Sequence, residues 1–323
     1  MAFTRDELDR ASELVHRWVP PTPQYAWPLL AEAVGTEVWV KHENHTPTGA
    51  FKVRGGLVYM DRLRRERTSV KGVVSATRGN HGQSIAFAGR AHDIAVTIVV
   101  PHGNSPDKNA AMRGFGAEVI EHGHDFQAAR ERSVALADER GLEAVPAYHP
   151  DLVLGVATYA RELLEAVSGL DTVYVPVGMG SGIAGLIGVR DLLGLSTEVV
   201  GVVAERAPAT ALSFAAGEPV ATETAETFVD GVACRVPDAD AIATITAGAA
   251  RIVQVGEDAV AEAVRVLLAA THNVPEPSGA LALAGAVSEA ESNRGRRIAV
   301  IQTGGNIDAS MLRLILGGGT PTV

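Results

Sequence analysis

The sequence predicts an α/β protein whose sheets are mostly parallel and carry helices on both faces. Short runs of β-branched residues alternate with helical segments along most of the 323 residues. One run, Val96 to Val100, is almost continuously apolar, which is typical of a strand buried on both faces of a parallel sheet. This alternation requires crossover connections, and these place helices on both sides of a sheet.

The individual elements follow from the same patterns in chain order. Nine strands are predicted, at Glu37–His42, Gly72–Ala76, Ala95–Val100, Glu118–His122, Ala144–Tyr148, Thr172–Val177, Val199–Ala204, Arg251–Val255 and Arg297–Thr303. Helical spacing of apolar residues lies between them. It predicts helices at Asn80–His92, Phe126–Arg140, Val153–Val167, Ile183–Leu193, Asp258–Thr271 and Gly279–Glu291. Capping residues and acids mark further helix starts near Pro106 and Glu257.

Composition and charge exclude several classes of protein. An apolar fraction of 46% and a charged fraction of 20% describe an ordinary folded chain, long enough for about two domains. A net charge of −10 argues against nucleic-acid binding and against docking on anionic lipid. The single cysteine, Cys234, excludes an internal disulfide. With no apolar signal core and no membrane-length apolar stretch, we expect a cytoplasmic protein.

A lysine follows the first predicted strand, in a segment that reads KHENHTPTGAFKVRGG. Of four lysines in the chain, Lys52 opens a helix between the apolar residues Phe51 and Val53. Lost hydration and the positive end of a helix both lower a lysine pKa and free the amine for base or imine chemistry. A surface lysine at a helix start is the competing interpretation. The other three have plainer contexts: Lys41, Lys71 and Lys108.

Three further turns follow strands and are rich in glycine. The turn SATRGNHG, at 75–82, can hold a ligand carboxylate with its backbone amides and with the Asn80 amide. The turn VGMGSGIAG, at 177–185, lets backbone amides approach a phosphate at a helix start. The turn TGGN, at 303–306, places the Thr303 hydroxyl where it can bond a flat ligand. Each turn by itself is also compatible with a simple connector.

In this order and spacing, the four segments resemble the fold type II pyridoxal-phosphate (PLP) enzymes, the tryptophan synthase β-like family. Within that family the chain is most similar to the threonine/serine dehydratase branch, from Thr22 to Asn306. The resemblance implies a small domain, 50–150, that closes over the substrate. This domain would be inserted in a larger PLP-binding domain made from 1–49 and 151–323. Each would be a three-layer α/β unit.

The resemblance also implies roles for individual residues. Lys52 would hold pyridoxal 5'-phosphate as a Schiff base and then act as the catalytic base. The other cofactor-binding residues would be Phe51, Asn80, Gly178, Met179, Gly180, Ser181, Gly182 and Thr303. The substrate would be bound by Thr77, Arg78, Gly79 and His81. Segments at Asp230 and Glu276 also match the dehydratase pattern, without a defined role. We expect no metal, because Ala211 stands where a second carboxylate would accompany Glu205.

The implied activity is elimination of water from a 3-hydroxy amino acid, L-threonine or L-serine first, to give a 2-oxo acid and ammonia. Alternative substrates are 3-phenylserine and 3-hydroxyaspartate. Alternative functions are an amino-acid racemase, a non-catalytic phospholigand-binding protein and a nicotinamide-dependent dehydrogenase. The family resemblance further implies a homo-oligomer, a dimer, with a small-molecule amino acid as its ligand and with neither nucleic acid nor membrane as a partner.

Arg78 departs from the family pattern. Dehydratases usually have a small residue at this position, and serine racemases have the serine that serves as their second acid/base. The pKa of arginine exceeds about 12, so it is a poor proton donor, which counts against a racemase. Its guanidinium could instead bind a carboxylate, either the substrate's own or a second one as on 3-hydroxyaspartate. A side chain turned outward into solvent is the other interpretation.

Overall fold

A computed structural model describes residues 3–124 and 126–322. Its strands are β1 (Gln24–Ala26), β2 (Glu37–His42), β3 (Val73–Ala76), β4 (Val96–Val100), β5 (Glu118–Glu121), β6 (Glu143–Ala144), β7 (Thr172–Pro176), β8 (Glu198–Ala204), β9 (Arg251–Val255) and β10 (Arg297–Gln302). Its helices are α1 (Arg5–His16), α2 (Pro28–Val34), α3 (Lys52–Glu66), α4 (Asn80–Ala91), α5 (Pro106–Gly114), α6 (Phe126–Arg140), α7 (Pro150–Ala166), α8 (Ser181–Leu192), α9 (Ala209–Ala216), α10 (Ala239–Gly248), α11 (Glu257–Thr271), α12 (Pro277–Ser288) and α13 (Ala309–Leu316). A short 3₁₀ helix covers Asp230–Val232.

The strands form two sheets. The larger has six strands in the order β1-β2-β10-β7-β8-β9, and the smaller has four in the order β5-β4-β3-β6. Within the described residues β1 pairs antiparallel with β2, and the other pairings are parallel. All strands of the small sheet fall between β2 and β7 along the chain, so this unit is an insertion in the larger one. The domain boundaries at 49/50 and 150/151 stay a prediction.

Both sheets are covered on two faces, which confirms the predicted three-layer α/β class. Along β8, Val200 and Val202 belong to the apolar cluster that contains α12, while Val199 and Val203 belong to the opposite cluster with α7 and α8. This alternation follows from the two-residue period of a strand. In the small sheet, Val73 packs with α3 and α4, and its neighbour Val74 packs with α6.

Most predicted elements lie within three residues of the observed ones, but the predicted strand Ala144–Tyr148 is wrong. The structure has only the two-residue strand β6 there. Val145 still donates its N–H to the carbonyl of Val74, and Pro146 follows it. The proline ring holds φ near −65°, away from the value of a parallel strand, and the ladder ends at this point. The sequence also missed β1, which has three residues and so shows no period.

The glycine-rich turns lie where they do because parallel strands end at a common edge. The segments that carry Lys52, Asn80, Gly180 and Thr303 follow β2, β3, β7 and β10. In open α/β sheets ligands bind outside the carboxyl ends of the strands, so this edge positions the candidate site. A search of the described helices for a segment able to cross a membrane finds none.

Candidate active site

The loop that leads into α3 is held against the loop that follows β10. Phe51 donates its N–H to the carbonyl of Thr303 at 3.0 Å, and Gly305 donates to Gly49 at 2.9 Å. Ala50 forms an isolated antiparallel bridge with Gly304, between these two bonds. The lysine segment and the TGGN turn, predicted separately, therefore form one structural unit around the base of α3.

Lys52 is half-buried at the first position of α3. Burial lowers the pKa of its amine, and the carboxylates of Glu276 and Asp230 oppose this shift without cancelling it. Its Nζ lies 4.6 Å from the centre of the Phe51 ring. The Lys52 carbonyl accepts a 2.6 Å hydrogen bond from the Ser84 hydroxyl of α4, which ties the two helices together beside the amine. An amine in this environment can act as a base or form an imine.

Asn80 connects three of the motifs at the start of α4. Its Nδ2 donates to Oε1 of Glu276 at 2.6 Å, and its Oδ1 accepts from Nδ2 of Asn306 at 2.8 Å. The Asn306 amide also donates to the carbonyl of Thr48 at 2.8 Å. Both ends of the Asn80 side chain are thus bonded, and its orientation is fixed.

Two buried atoms near Lys52 lack a hydrogen-bond partner among the described residues, Oε2 of Glu276 and Nε2 of His81. Burial raises the pKa of the Glu276 carboxyl, although Lys108 acts in the opposite direction. Burial also lowers the pKa of His81 to about 4, and the charge of Lys52 adds to the effect. His81 is therefore neutral at physiological pH. Unpaired buried polar atoms cost stability, so they indicate a site built for a ligand.

The glycine-rich turn before α8 can bind an anion. Gly180, at the N-cap, has φ +98°, a left-handed conformation that a side chain would strain. A Cβ atom at Gly178 would lie 2.7 Å from the carbonyl of Gly231, so this position also requires glycine. Next to them, Met179 contacts Cys234, with 3.4 Å between the sulfur atoms. The free N–H groups at the start of α8 complete a cradle of the kind that holds a phosphate.

The expectation that Lys108 and Lys41 have plain contexts is wrong. Lys108 of α5 is buried, and its Nζ bonds Asp230 on the 3₁₀ turn. Burial opposes its charge, but the carboxylates of Asp230 and Glu276 hold the pKa of Lys108 above its ordinary value. Lys41 is fully buried and bonds Glu162 at 2.6 Å. Their partners lie more than a hundred residues away along the chain, so no local pattern identified them.

A buried ion network lies behind Lys52. Arg54, two residues later, is fully buried and donates twice to Glu43, at 2.8 and 3.0 Å. It also donates twice to Glu162 of α7, at 2.7 and 3.0 Å. Arg54 stands in the lysine motif, but its charge alone gave no indication of these partners. The network fixes the base of α3, and with it the position of Lys52.

A cavity of about 260 Å³ lies beside the predicted substrate turn. Arg78 is exposed and lines it, and Thr77 and Gly79 on either side are buried. Gly79 donates its N–H to the Thr77 hydroxyl at 3.1 Å, which shapes the turn. Segments from both sheets line the cavity, and Ser105 donates to Asp308 across it at 2.6 Å. Among residues 3–124 and 126–322 no three His, Cys, Asp or Glu side chains group as a metal site requires.

Comparison with known proteins agrees with this geometry. A family model for pyridoxal-phosphate dependent enzymes matches residues 15–304. The L-threo-3-hydroxyaspartate ammonia-lyase of Saccharomyces cerevisiae is 31% identical over 314 residues, which are 97% of this chain and 96% of that protein. The biosynthetic L-threonine dehydratase of Salmonella typhimurium is 34% identical over 297 residues, 91% of this chain but only 58% of that protein. The structure of maize serine racemase superposes with a TM-score of 0.90 at 26% identity, over 97% of this chain and 96% of that one.

The residues present fit PLP. A lysine of lowered pKa, an anion cradle at a helix start and unpaired buried polar atoms beside the lysine are the groups that this cofactor requires. The family match covers most of the chain, and the predicted resemblance is confirmed. The chain therefore belongs to the pyridoxal-phosphate-dependent enzymes of fold type II, in the threonine/serine dehydratase branch, and PLP is its cofactor.

Proposed function

We propose that this protein is an ammonia-lyase that removes water from a 3-hydroxy amino acid and releases a 2-oxo acid and ammonia. L-Threonine and L-serine are the first substrates to test. The observation that carries the proposal is the half-buried Lys52, whose lowered pKa and position beside the turns at 75–82 and 303–306 suit it to covalent PLP chemistry. The names of the curated relatives support the same reaction class.

The residues that would hold PLP follow from the site. The backbone from Gly178 to Gly182, including Met179, Gly180 and Ser181, would bind the phosphate, and the Thr303 hydroxyl would bond the pyridine nitrogen. Asn80 would bond the phenolic oxygen, and Phe51 would pack beside the ring. When bound, the cofactor supplies an electron sink for the negative charge that develops at the substrate Cα.

The chain's own groups manage the protons and the substrate. Lys52 Nζ would take the proton from Cα, because burial lowers its pKa and so favours the neutral amine. The turn from Thr77 to His81 would hold the substrate carboxylate with the N–H groups at the start of α4, because the N–H groups of Thr77 and Gly79 already donate to the Val99 carbonyl and the Thr77 hydroxyl. Neutral His81 adds no charge beside the amine. The racemase alternative loses support here, since Arg78 cannot serve as the second proton donor.

The decisive experiment measures products and attachment on the purified holoenzyme. A panel of L-threonine, L-serine, 3-phenylserine and L-threo-3-hydroxyaspartate should release 2-oxo acid and ammonia in equal amounts for at least one member. Borohydride reduction and peptide mass spectrometry should locate the added pyridoxyl mass on Lys52. Lys52→Ala should lose this mass and at least about 10³-fold in activity, while Lys71→Ala, at an exposed lysine, should keep both. Interconversion of D- and L-serine without ammonia would instead establish a racemase.

We also infer that the protein acts as a homodimer in the cytoplasm. A single cysteine suits a reducing compartment, and the family resemblance suggests a dimer. Light scattering of the purified protein should give twice the 33.7 kDa mass of one chain. A monomer mass at micromolar concentration would contradict the dimer.

A further inference from the structure

We propose that Arg78 makes the site selective for amino acids that carry a second carboxylate on Cβ. The inference rests on the proposed function, because it takes the turn at Thr77 to His81 as the place where the substrate's own carboxylate binds. It assigns Arg78 the task of recognising the substrate side chain. The chemical class is a 3-hydroxy dicarboxylic amino acid.

Arg78 stands inside the turn that precedes α4, between buried Thr77 and Gly79, and its exposed side chain lines the 260 Å³ cavity. The backbone of this turn would hold the α-carboxylate of a substrate. In a dicarboxylic amino acid of this type only two carbons separate the two carboxylates. A second carboxylate therefore lies close to the first, within reach of a long side chain from the same turn.

The charges around the cavity leave the Arg78 guanidinium available for a ligand. The other cation of the cavity, Lys108, is already paired with Asp230, and Asp308 accepts the Ser105 hydroxyl. Arg78 forms no ion pair or hydrogen bond with another side chain among the described residues. An unpaired guanidinium keeps all five N–H donors available in the planar fork that matches a carboxylate. Among the described residues that line the cavity, Arg78 is thus a cation without a side-chain partner, next to the substrate turn.

Two other roles for Arg78 agree less well with its position and charge. If it bound the α-carboxylate, it would duplicate the N–H groups of its own turn and would not discriminate among amino acids. If it only faced solvent, it would not be expected to line a cavity that segments from both sheets enclose. A contact with the substrate side chain uses both its charge and its place. Charged hydrogen bonds of this kind change binding by about 10- to 100-fold.

The test compares two ligands that differ only in charge, L-aspartate and L-asparagine. Both lack the 3-hydroxyl group, so their binding to the holoenzyme can be followed by absorbance without elimination. We expect the wild-type protein to bind L-aspartate more tightly, and the preference to fall by about 10- to 100-fold in Arg78→Gln. Arg78→Lys, which keeps the charge but loses the fork, should retain an intermediate preference.

Arg294→Gln provides the matched control. Arg294 is exposed and precedes β10, at the sheet edge opposite the site. Its replacement by glutamine changes the net charge by the same amount as Arg78→Gln. The Arg294→Gln variant should prefer L-aspartate over L-asparagine as strongly as the wild-type protein does. The ratio of kcat/KM for L-threo-3-hydroxyaspartate to that for L-threonine should follow the same order among the variants.

An aspartate preference that is unchanged in Arg78→Gln, or that falls equally in Arg294→Gln, would overturn the inference. Equal weakening of both ligands in Arg78→Gln would overturn it too, since Arg78 would then bind the shared α-carboxylate. The binding ratio does not depend on turnover. If no hydroxy amino acid is converted, the proposed function fails while the role of Arg78 is still decided.

Discussion

The side-chain amide of Asn80 donates a 2.6 Å hydrogen bond to Glu276, and this bond joins the helix after β3 to the N-terminus of α12. Asn306 fixes the other end of the same amide at 2.8 Å. Segments that belong to the small and the large sheet are thereby connected at the point where the cofactor would lie. The hydrogen-bonded pair of Asn80 and Glu276 gives the site a rigid polar group, and Glu276 is buried.

Replacing Glu276 with glutamine should raise the stability of the protein. Burial raises the pKa of this carboxyl, so its ionisation opposes folding, and stability is lost as the pH rises from the ordinary glutamate range through the raised value. A neutral amide avoids that loss. We expect Glu276→Gln to raise the Tm at pH 7 by about 2–4 °C, which corresponds to a gain of roughly 1 kcal/mol in the free energy of unfolding. Calorimetry at pH 5 and pH 8 checks this, since the gain should be larger at pH 8.

Glu276→Ala should have a different outcome, because it leaves the Asn80 amide without its acceptor. We expect kcat/KM to fall by about 10- to 100-fold and PLP affinity to weaken with it. Equal activity in the alanine and glutamine variants would show that the bond to Asn80 has no role in positioning.

The Lys108–Asp230 pair should stabilise the protein measurably. The carboxylates of Asp230 and Glu276 both favour the charged form of Lys108. Lys108 is buried, and the Asp230 side chain is one-third exposed. A double-mutant cycle with Lys108→Met and Asp230→Asn should give a coupling energy of about 1–2 kcal/mol in urea unfolding. The exposed helix pair Arg62–Glu66 is the control and should give at most about 0.5 kcal/mol. Additive effects at Lys108 and Asp230 would contradict the prediction.

Acid should weaken the network behind Lys52. Burial works against the charge of Glu162, but Arg54 and Lys41 lower its pKa from 4.5 to about 2. A lowered pKa stabilises the fold above pH 4.5, and that contribution is lost as the pH falls towards 2. Glu162→Gln should therefore be less stable than the wild-type protein by about 3–5 kcal/mol at pH 7. It should also lose less stability than the wild type when the pH is lowered. Denaturant unfolding at pH 7, 5 and 3 measures both effects, and parallel pH curves for the two proteins would refute this account.

The conformation of Gly180 should matter for both stability and cofactor binding. Alanine there would adopt φ +98° with its Cβ 3.0 Å from that of Ala241, next to the proposed phosphate cradle. We expect Gly180→Ala to cost about 1–2 kcal/mol and to weaken PLP binding. Gly194→Ala is the matched control, because Gly194 has φ +65° with no atom near its Cβ position. It should show the backbone cost without any change in PLP affinity, as measured by fluorescence titration.

Local pattern was sufficient for the fold class and for most elements. The runs at β4, β7 and β10 and the helical periods between them are properties of neighbouring residues, so the sequence contains them directly. β6 ends before Pro146, whose fixed φ does not suit a parallel strand. β1 was too short to show any period.

The family and its cofactor were also determined by the sequence, because four short motifs in a fixed order specify a strand, a turn and a helix start each time. Tertiary structure decided which distant side chains meet. Arg54 contacts Glu162, and Lys108 contacts Asp230, across more than a hundred residues in each case. Such pairs depend on how the sheets and helices pack, and packing brings together positions whose separation along the chain carries no signal. The sequence determines where each turn ends a strand, whereas only the folded chain shows that Arg78 has no side-chain partner among residues 3–124 and 126–322.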